Sequence, residues 1–137
     1  MDSPSLHPQM TDYGNELEGM RLLVVEDDYL VAADMCSTRI RRGAIILGPA
    51  SNLRRTRELL RQQRPDCALL DSNLNDTLAF ELAEEFHREG IPTIFTTGYD
   101  AAFFPDTFRG NPCLQKPVNF TVLVQLIRSN AHTPQRA

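Results

Sequence analysis

The sequence predicts an α/β fold in which parallel strands form one doubly wound sheet with helices on both faces. Two observations predict it: five short apolar runs alternate with stretches of helical periodicity, and these runs are apolar throughout. Strands of that kind are covered on both faces, as in parallel sheets. With right-handed crossovers the sheet is open, and its ligand site lies beyond the carboxyl ends of the strands.

The first predicted strand is 22–25, because branched apolar side chains there are followed by acidic residues. Asp28 is suited to cap the first helix, and Gly43 to end it. The apolar stripe of that helix is expected at Leu30, Ala33 and Ile40. The second strand is predicted at 44–47, closed by Gly48-Pro49.

The second helix is expected to begin at the cap residue Ser51 and to end near Arg64, because Pro65 cannot continue it. The run 66–70 predicts the third strand, which delivers Asp71 at its end. A third helix follows, capped by Thr77 and ended by Gly90. Its apolar face has helical spacing and consists of Ala79, Leu82, Ala83 and Phe86.

The fourth strand is predicted at 92–96 and ends near Thr97-Gly98. Residues 99–112 follow no regular stripe, so only a short or frayed helix is expected there. The fifth strand is 113–115, and Asn119 caps the last helix. The apolar face of that helix consists of Phe120, Leu123, Val124 and Ile127.

The composition excludes several classes of protein. No apolar run approaches the length of a membrane span, and the N-terminus lacks the apolar core of a secretory signal, so we expect a cytoplasmic protein with no membrane partner. The net charge of -4 gives no reason to expect nucleic acid. An arginine-rich second helix is better explained as a solvated face. Three cysteines without metal-ligand spacing are expected to be reduced.

Acidic and basic side chains follow the predicted strands at the edge where a ligand site is expected. Glu26 and Asp27 follow the first strand and Asp71 the third, while Thr97 and Lys116 follow the fourth and fifth. Lys116 is the only lysine among 14 cationic residues. Three carboxylates brought together repel one another unless a cation intervenes, and such oxygen ligands suit Mg²⁺. The set therefore predicts phosphoryl transfer to a carboxylate nucleophile.

These motifs resemble the receiver domains of bacterial response regulators. The residues that carry the resemblance are Leu-Val-Val-Glu-Asp-Asp at 23–28, Ala-Leu-Leu-Asp at 68–71, Thr-Thr-Gly-Tyr at 96–99 and Gln-Lys-Pro at 115–117. The resemblance covers about residues 20–131, so we expect a flexible extension at 1–19 and a tail at 132–137. It implies the flavodoxin-like strand order 2-1-3-4-5.

The resemblance also implies a role for each residue of the site. Asp71 matches the phosphoacceptor, and Glu26 and Asp27 match the acidic pair that holds Mg²⁺. Asn73 matches the residue whose backbone carbonyl also binds the metal. Thr97 matches the switch hydroxyl, and Lys116 matches the phosphate-binding lysine, whose bond to the following proline is usually cis in the family.

A closer resemblance concerns the segment Phe95-Thr96-Thr97-Gly98-Tyr99. It is similar to the Phe-Ala-Thr-Gly-Tyr variant of receivers, common among single-domain regulators of alphaproteobacteria, which implies a histidine kinase of the HWE or HisKA_2 type. The usual aromatic switch position is occupied here by Cys113. Tyr99 is the nearby aromatic that we expect to replace it as the switch residue.

The function expected from the sequence is that of a stand-alone phosphoacceptor, a monomer or weak homodimer, and not an enzyme acting on a metabolite. Its output is expected through protein contact or as a phosphate sink. The alternative is a small phosphatase-like enzyme that uses an aspartyl-phosphate. Such enzymes have a second acid two residues after the nucleophile, where this chain has Asn73.

Overall fold

The computed structural model describes residues 14–37, 41–74, 76–98 and 104–131, apart from the side chains of 76–78. The strands are β1 (Arg21–Val25), β2 (Ile45–Ala50), β3 (Cys67–Asp71), β4 (Thr93–Thr97) and β5 (Cys113–Gln115). The helices are α1 (Tyr29–Met35), α2 (Leu53–Gln62), α3 (Asp76–Arg88) and α4 (Phe120–Asn130). None of the described helices is long and apolar enough to cross a membrane.

The strands form one parallel sheet in the order β2-β1-β3-β4-β5, which confirms the predicted doubly wound fold. The order reverses between β1 and β3. Since all strands point the same way, the residues after β1, β3, β4 and β5 meet at one edge.

Each face of the sheet has its own apolar core. Leu23, Leu70 and Phe95 point to the face covered by α2 and α3, while Val24, Leu69 and Ile94 point to the face covered by α1 and α4. The predicted apolar faces of α3 and α4 are confirmed: apart from Phe120, which is only partly buried, all their residues are buried.

The first helix differs from its predicted stripe. Its buried residues are Ala32 and Met35, whereas Leu30 is 73% exposed and Ala33 is also exposed. Asp28 caps this helix as predicted and accepts from two backbone N–H groups, so the difference lies in which side of the helix packs on the sheet, where Met35 and Val31 contact the core. Ile40 lies outside the described residues.

The second strand is longer than predicted, because Gly48 and Pro49 belong to it. Proline is tolerated there since β2 is an edge strand. Gly48 has a φ of 103°, and a Cβ at this position would lie 2.9 Å from the backbone oxygen of Val24. The register with β1 shifts beside this glycine, as in a bulge.

The caps of the later helices agree with the sequence in part. Asn119 caps α4 as predicted, but α2 is capped by Asn52 and not by Ser51. Helix α3 begins at Asp76, so Thr77 lies inside the helix and is not its cap.

The segment after β4 contributes to the core. Its described part contains a single 3₁₀ turn, Asp106–Phe108, in line with the irregular segment predicted. Phe104 and Phe108 are buried against Phe80 and Phe95, with ring centroids 5.0 to 5.9 Å apart. These two phenylalanines therefore fill space beneath the loop.

Residues 14–19 differ from the flexible extension expected there. Leu17 is 1% exposed and donates its backbone N–H to Arg42, and Glu16 forms an ion pair with Arg42 at 3.0 Å. Burial of Leu17 in the core beneath α4 explains why this turn is ordered. The rest of the predicted extension, residues 1–13, and the predicted tail at 132–137 lie outside the described residues.

Candidate functional site

The predicted site residues of the strand ends meet at the carboxyl edge of the sheet. Glu26 and Asp27 follow β1, Asp71 is the last residue of β3, and Lys116 follows β5. Oxygen atoms of Glu26, Asp27 and Asp71 lie within 4.8 Å of one another. Glu26 is 2% and Asp71 1% exposed, while Asp27 is open to solvent.

Lys116 is the cation of this pocket. Its Nζ lies 3.2 Å from Glu26 Oε2 and 3.3 Å from Asp71 Oδ2. Its backbone N–H also donates to the carbonyl oxygen of Thr97 at 2.7 Å, which anchors the residue beside β4. The only lysine of the chain thus contacts the two most buried acids of the site. The Lys116–Pro117 bond is cis, as the resemblance implied.

The side chains of the pocket by themselves disfavour three negative charges. Burial, a hydrogen bond to Asp71 and the charge of Asp71 raise the pKa of Glu26 to about 7. Loss of hydration and the charge of Asp71 also raise the pKa of Asp27. Burial lowers the pKa of Lys116, but the charges of Asp71 and Glu26 outweigh it, and the pKa lies above its usual value. One lysine therefore does not neutralise the cluster.

The residues present fit a divalent cation. Glu26 Oε1 is buried and has no hydrogen-bond partner among the described residues, although a buried carboxylate oxygen normally has one. The other oxygen of Glu26 accepts from the backbone N–H of Asp28 at 3.2 Å and from Lys116. A hard cation between the three carboxylates would supply the missing partner.

Two predicted residues lie beside Asp71. Asn73 donates its backbone N–H to Asp71 Oδ1 at 2.9 Å, which orients the carboxylate. Thr97 ends β4 and is 1% exposed, next to the Asp71–Thr96 register pair. Tyr99, the predicted switch residue, lies outside the described residues.

Sequence reasoning missed two buried hydroxyls near the site. Ser72 and Thr96 are at most 1% exposed, and neither side-chain oxygen has a hydrogen-bond partner among the described residues. Both flank predicted site residues in the chain, but only the register between β3 and β4 shows where they lie.

Comparisons with known proteins agree with this geometry. The profile described as "Response regulator receiver domain" matches residues 22–128. No curated protein matches the chain.

Among solved structures, the receiver domain of a modulated diguanylate cyclase from Desulfovibrio desulfuricans G20 is 30% identical, with a TM-score of 0.71 over 82% of this chain and 94% of that one. The response regulator PhyR of Brucella abortus is 25% identical, with a TM-score of 0.70 over 89% of this chain. The match covers 52% of that PhyR, so this chain spans about half its length. The receiver domain of Erythrobacter litoralis PhyR, 20% identical, has the same fold with a TM-score of 0.71 over 88% of this chain and 98% of that one.

Proposed function

Because this chain belongs to the response regulator receiver domain family, whose members act in two-component signalling, we propose that it accepts a phosphoryl group from a histidine kinase on Asp71. The observation that carries the proposal is the contact of one ammonium with two buried acids. Lys116 Nζ lies 3.3 Å from Asp71 and 3.2 Å from Glu26, inside a cluster of three carboxylates.

Asp71 is the nucleophile of the proposed reaction. Its Oδ2 attacks the phosphorus of a phosphohistidine, the P–O bond forms, and the P–N bond breaks as the imidazole leaves with the electron pair. The Asn73 N–H on Oδ1 holds the carboxylate so that the other oxygen faces the donor. Positioning of this kind supplies much of the rate in phosphoryl transfer.

Glu26, Asp27 and Asp71 would hold Mg²⁺, together with the backbone carbonyl of Asn73. The ion would neutralise charge on the phosphoryl oxygens. Few carboxylates with waters completing the shell imply weak binding. Lys116 adds a compact positive charge beside Asp71 and Glu26, which the wide fork of arginine would not reproduce.

Thr97 is the proposed switch hydroxyl, which turns toward the phosphoryl oxygens, and Tyr99 is the proposed aromatic that follows it. Cys113 pairs with Phe95 in the sheet and is only partly buried, and a cysteine there has no ring to move. We further propose a kinase of the HWE or HisKA_2 type, and output through protein contact or as a phosphate sink.

Transfer from a panel of purified, autophosphorylated kinases tests the function. We expect labelled phosphate to move to the wild-type protein in Mg²⁺ but not in EDTA, and not to Asp71→Asn, because an amide is not a nucleophile. Asp28→Asn is the matched control, since Asp28 lies beside the pocket and asparagine caps a helix equally well. Label on Asp71→Asn as strong as on the control would contradict the proposal.

A further inference from the structure

The side-chain hydroxyl of Thr96 is a buried polar group near the end of β4. Thr96 is 1% exposed, and its Oγ1 has no hydrogen-bond partner among the described residues. A buried hydroxyl without a partner costs free energy, whereas valine has the same shape and no such cost. A hydroxyl at this position is explained if it gains a partner in another state of the pocket.

The register of the sheet places Thr96 beside the phosphoacceptor. Its Cα partners are Asp71 in β3 and Leu114 in β5. Side chains alternate along a strand, so Thr96 shares the face of Ile94, where the core beneath α1 and α4 lies. Asp71 follows Leu69 on that face, and Lys116 follows Leu114.

Lys116 reaches the acids by passing over β4. It follows β5, yet its Nζ contacts Asp71 in β3 and Glu26 after β1. Since β4 lies between β5 and β3, the lysine passes the carboxyl end of β4. Thr96, the buried β4 residue in register with Asp71, lies at that end of the strand.

An ammonium has three N–H donors, and their acceptors must change on phosphorylation. In the structure the acceptors are Glu26 Oε2 and Asp71 Oδ2. After transfer one oxygen of Asp71 would be bonded to phosphorus, and Glu26 and Asp27 would hold Mg²⁺. Lys116 then donates one N–H to a phosphoryl oxygen, and its remaining N–H groups need acceptors near β4.

We propose that Thr96 is a positioning residue, whose buried hydroxyl accepts an N–H of Lys116 in the phosphorylated state. This rests on the proposed function, because it concerns the pocket with a phosphoryl group on Asp71. The Phe-Ala-Thr-Gly-Tyr variant that this segment resembles has alanine at the position of Thr96. The additional hydroxyl therefore distinguishes this chain from the variant and can be removed without touching the nucleophile.

Lys116 can be observed alone because it is the only lysine of the chain. In protein labelled with ¹⁵N-lysine, one side-chain ammonium signal reports its hydrogen bonds. With Mg²⁺ and beryllofluoride, which imitates the phosphoryl group, we expect slow proton exchange at this ammonium in the wild-type protein and in Thr96→Ser. In Thr96→Val and Thr96→Ala we expect proton exchange at the Lys116 ammonium to be about fivefold faster than in the wild-type protein, which is the factor that the loss of one ordinary hydrogen bond provides.

Thr93→Val is the matched control on the same strand. The Thr93 hydroxyl already donates to the carbonyl oxygen of Ile91 at 3.2 Å, so its loss lowers the free energy of unfolding and leaves the ammonium signal unchanged. Thr96→Val, in contrast, keeps or raises the free energy of unfolding of the protein without beryllofluoride.

Ammonium exchange in Thr96→Val equal to that of the wild-type protein would overturn the inference while leaving the proposed function intact. If the wild-type signal does not respond to Mg²⁺ and beryllofluoride, the proposed function fails, and the role of Thr96 fails with it.

Discussion

The charge of Glu26 gives the metal-free protein a stability that depends on pH. Burial and the neighbouring Asp71 raise the pKa of Glu26 from 4.5 to about 7. A carboxyl whose pKa is higher in the folded state binds its proton more tightly there. Its contribution to stability is therefore complete below the unfolded pKa and is lost as the pH rises through about 7.

The pKa shift sets the size of this effect. One pKa unit corresponds to about 1.4 kcal/mol, so the raised pKa of Glu26 lowers the free energy of unfolding by roughly 2 to 3 kcal/mol between about pH 5 and pH 8. Glu26→Gln has no proton to lose and escapes this loss. The difference between wild type and variant reports the interaction of Glu26 with Asp71, because groups away from the pocket titrate in both proteins.

Urea unfolding followed by far-ultraviolet circular dichroism, in EDTA, measures the effect. We expect Glu26→Gln to gain roughly 2 to 3 kcal/mol over the wild type on going from about pH 5 to pH 8. Glu16→Gln is the control, because a backbone hydrogen bond lowers the pKa of the exposed Glu16, and its contribution is lost only as the pH falls. Parallel pH profiles for wild type and Glu26→Gln would refute the idea that repulsion in the pocket destabilises the metal-free protein.

Three further changes probe other parts of the account. Asp27→Ala removes an exposed carboxylate of the cluster. We expect the Mg²⁺ affinity measured by NMR titration to fall while the fold without Mg²⁺ is kept. Unchanged affinity would show that Asp27 does not bind the metal. Lys116→Arg keeps the charge but replaces a compact ammonium with a wide guanidinium fork, and we expect impaired phosphorylation. Arg61→Lys is the control and should leave phosphorylation unchanged. Phosphorylation of Lys116→Arg at the wild-type level would show that positive charge alone suffices. Phe108→Ala opens a cavity beside Phe80 and Phe95, and we expect it to lower the free energy of unfolding in urea by about 3 kcal/mol. A loss below about 1 kcal/mol would contradict the claim that Phe108 packs in the core.

The fold and most of the candidate site were predictable because they depend on short sequence patterns whose structural effect does not depend on tertiary packing. Asp28 and Asn119 cap their helices as predicted, since a cap needs only its own side chain and the next turn. Glu26, Asp71 and Lys116 meet because parallel strands bring their carboxyl ends together whatever the details of packing.

Features that depend on register or packing were not predictable. In the sequence, Gly48 and Pro49 indicate the end of a strand. On an edge strand, however, the missing N–H of Pro49 is tolerated, and Gly48 permits a bulge. Leu17 stands in a polar stretch, and only the core beneath α4 makes it a buried residue. That the Thr96 hydroxyl has no hydrogen-bond partner within the described part of the chain becomes visible only once the neighbours across the sheet are known.

The location of the phosphoryl group after reaction with acetyl phosphate and Mg²⁺ tests the central claim most directly. Borohydride reduction converts an aspartyl-phosphate to homoserine, and peptide mass spectrometry then identifies the modified residue. We predict modification at Asp71, dependent on Mg²⁺ and strongly reduced in Lys116→Ala. Modification at another residue, or none in wild-type protein that is shown to be folded, would contradict the assignment of Asp71 as the phosphoacceptor.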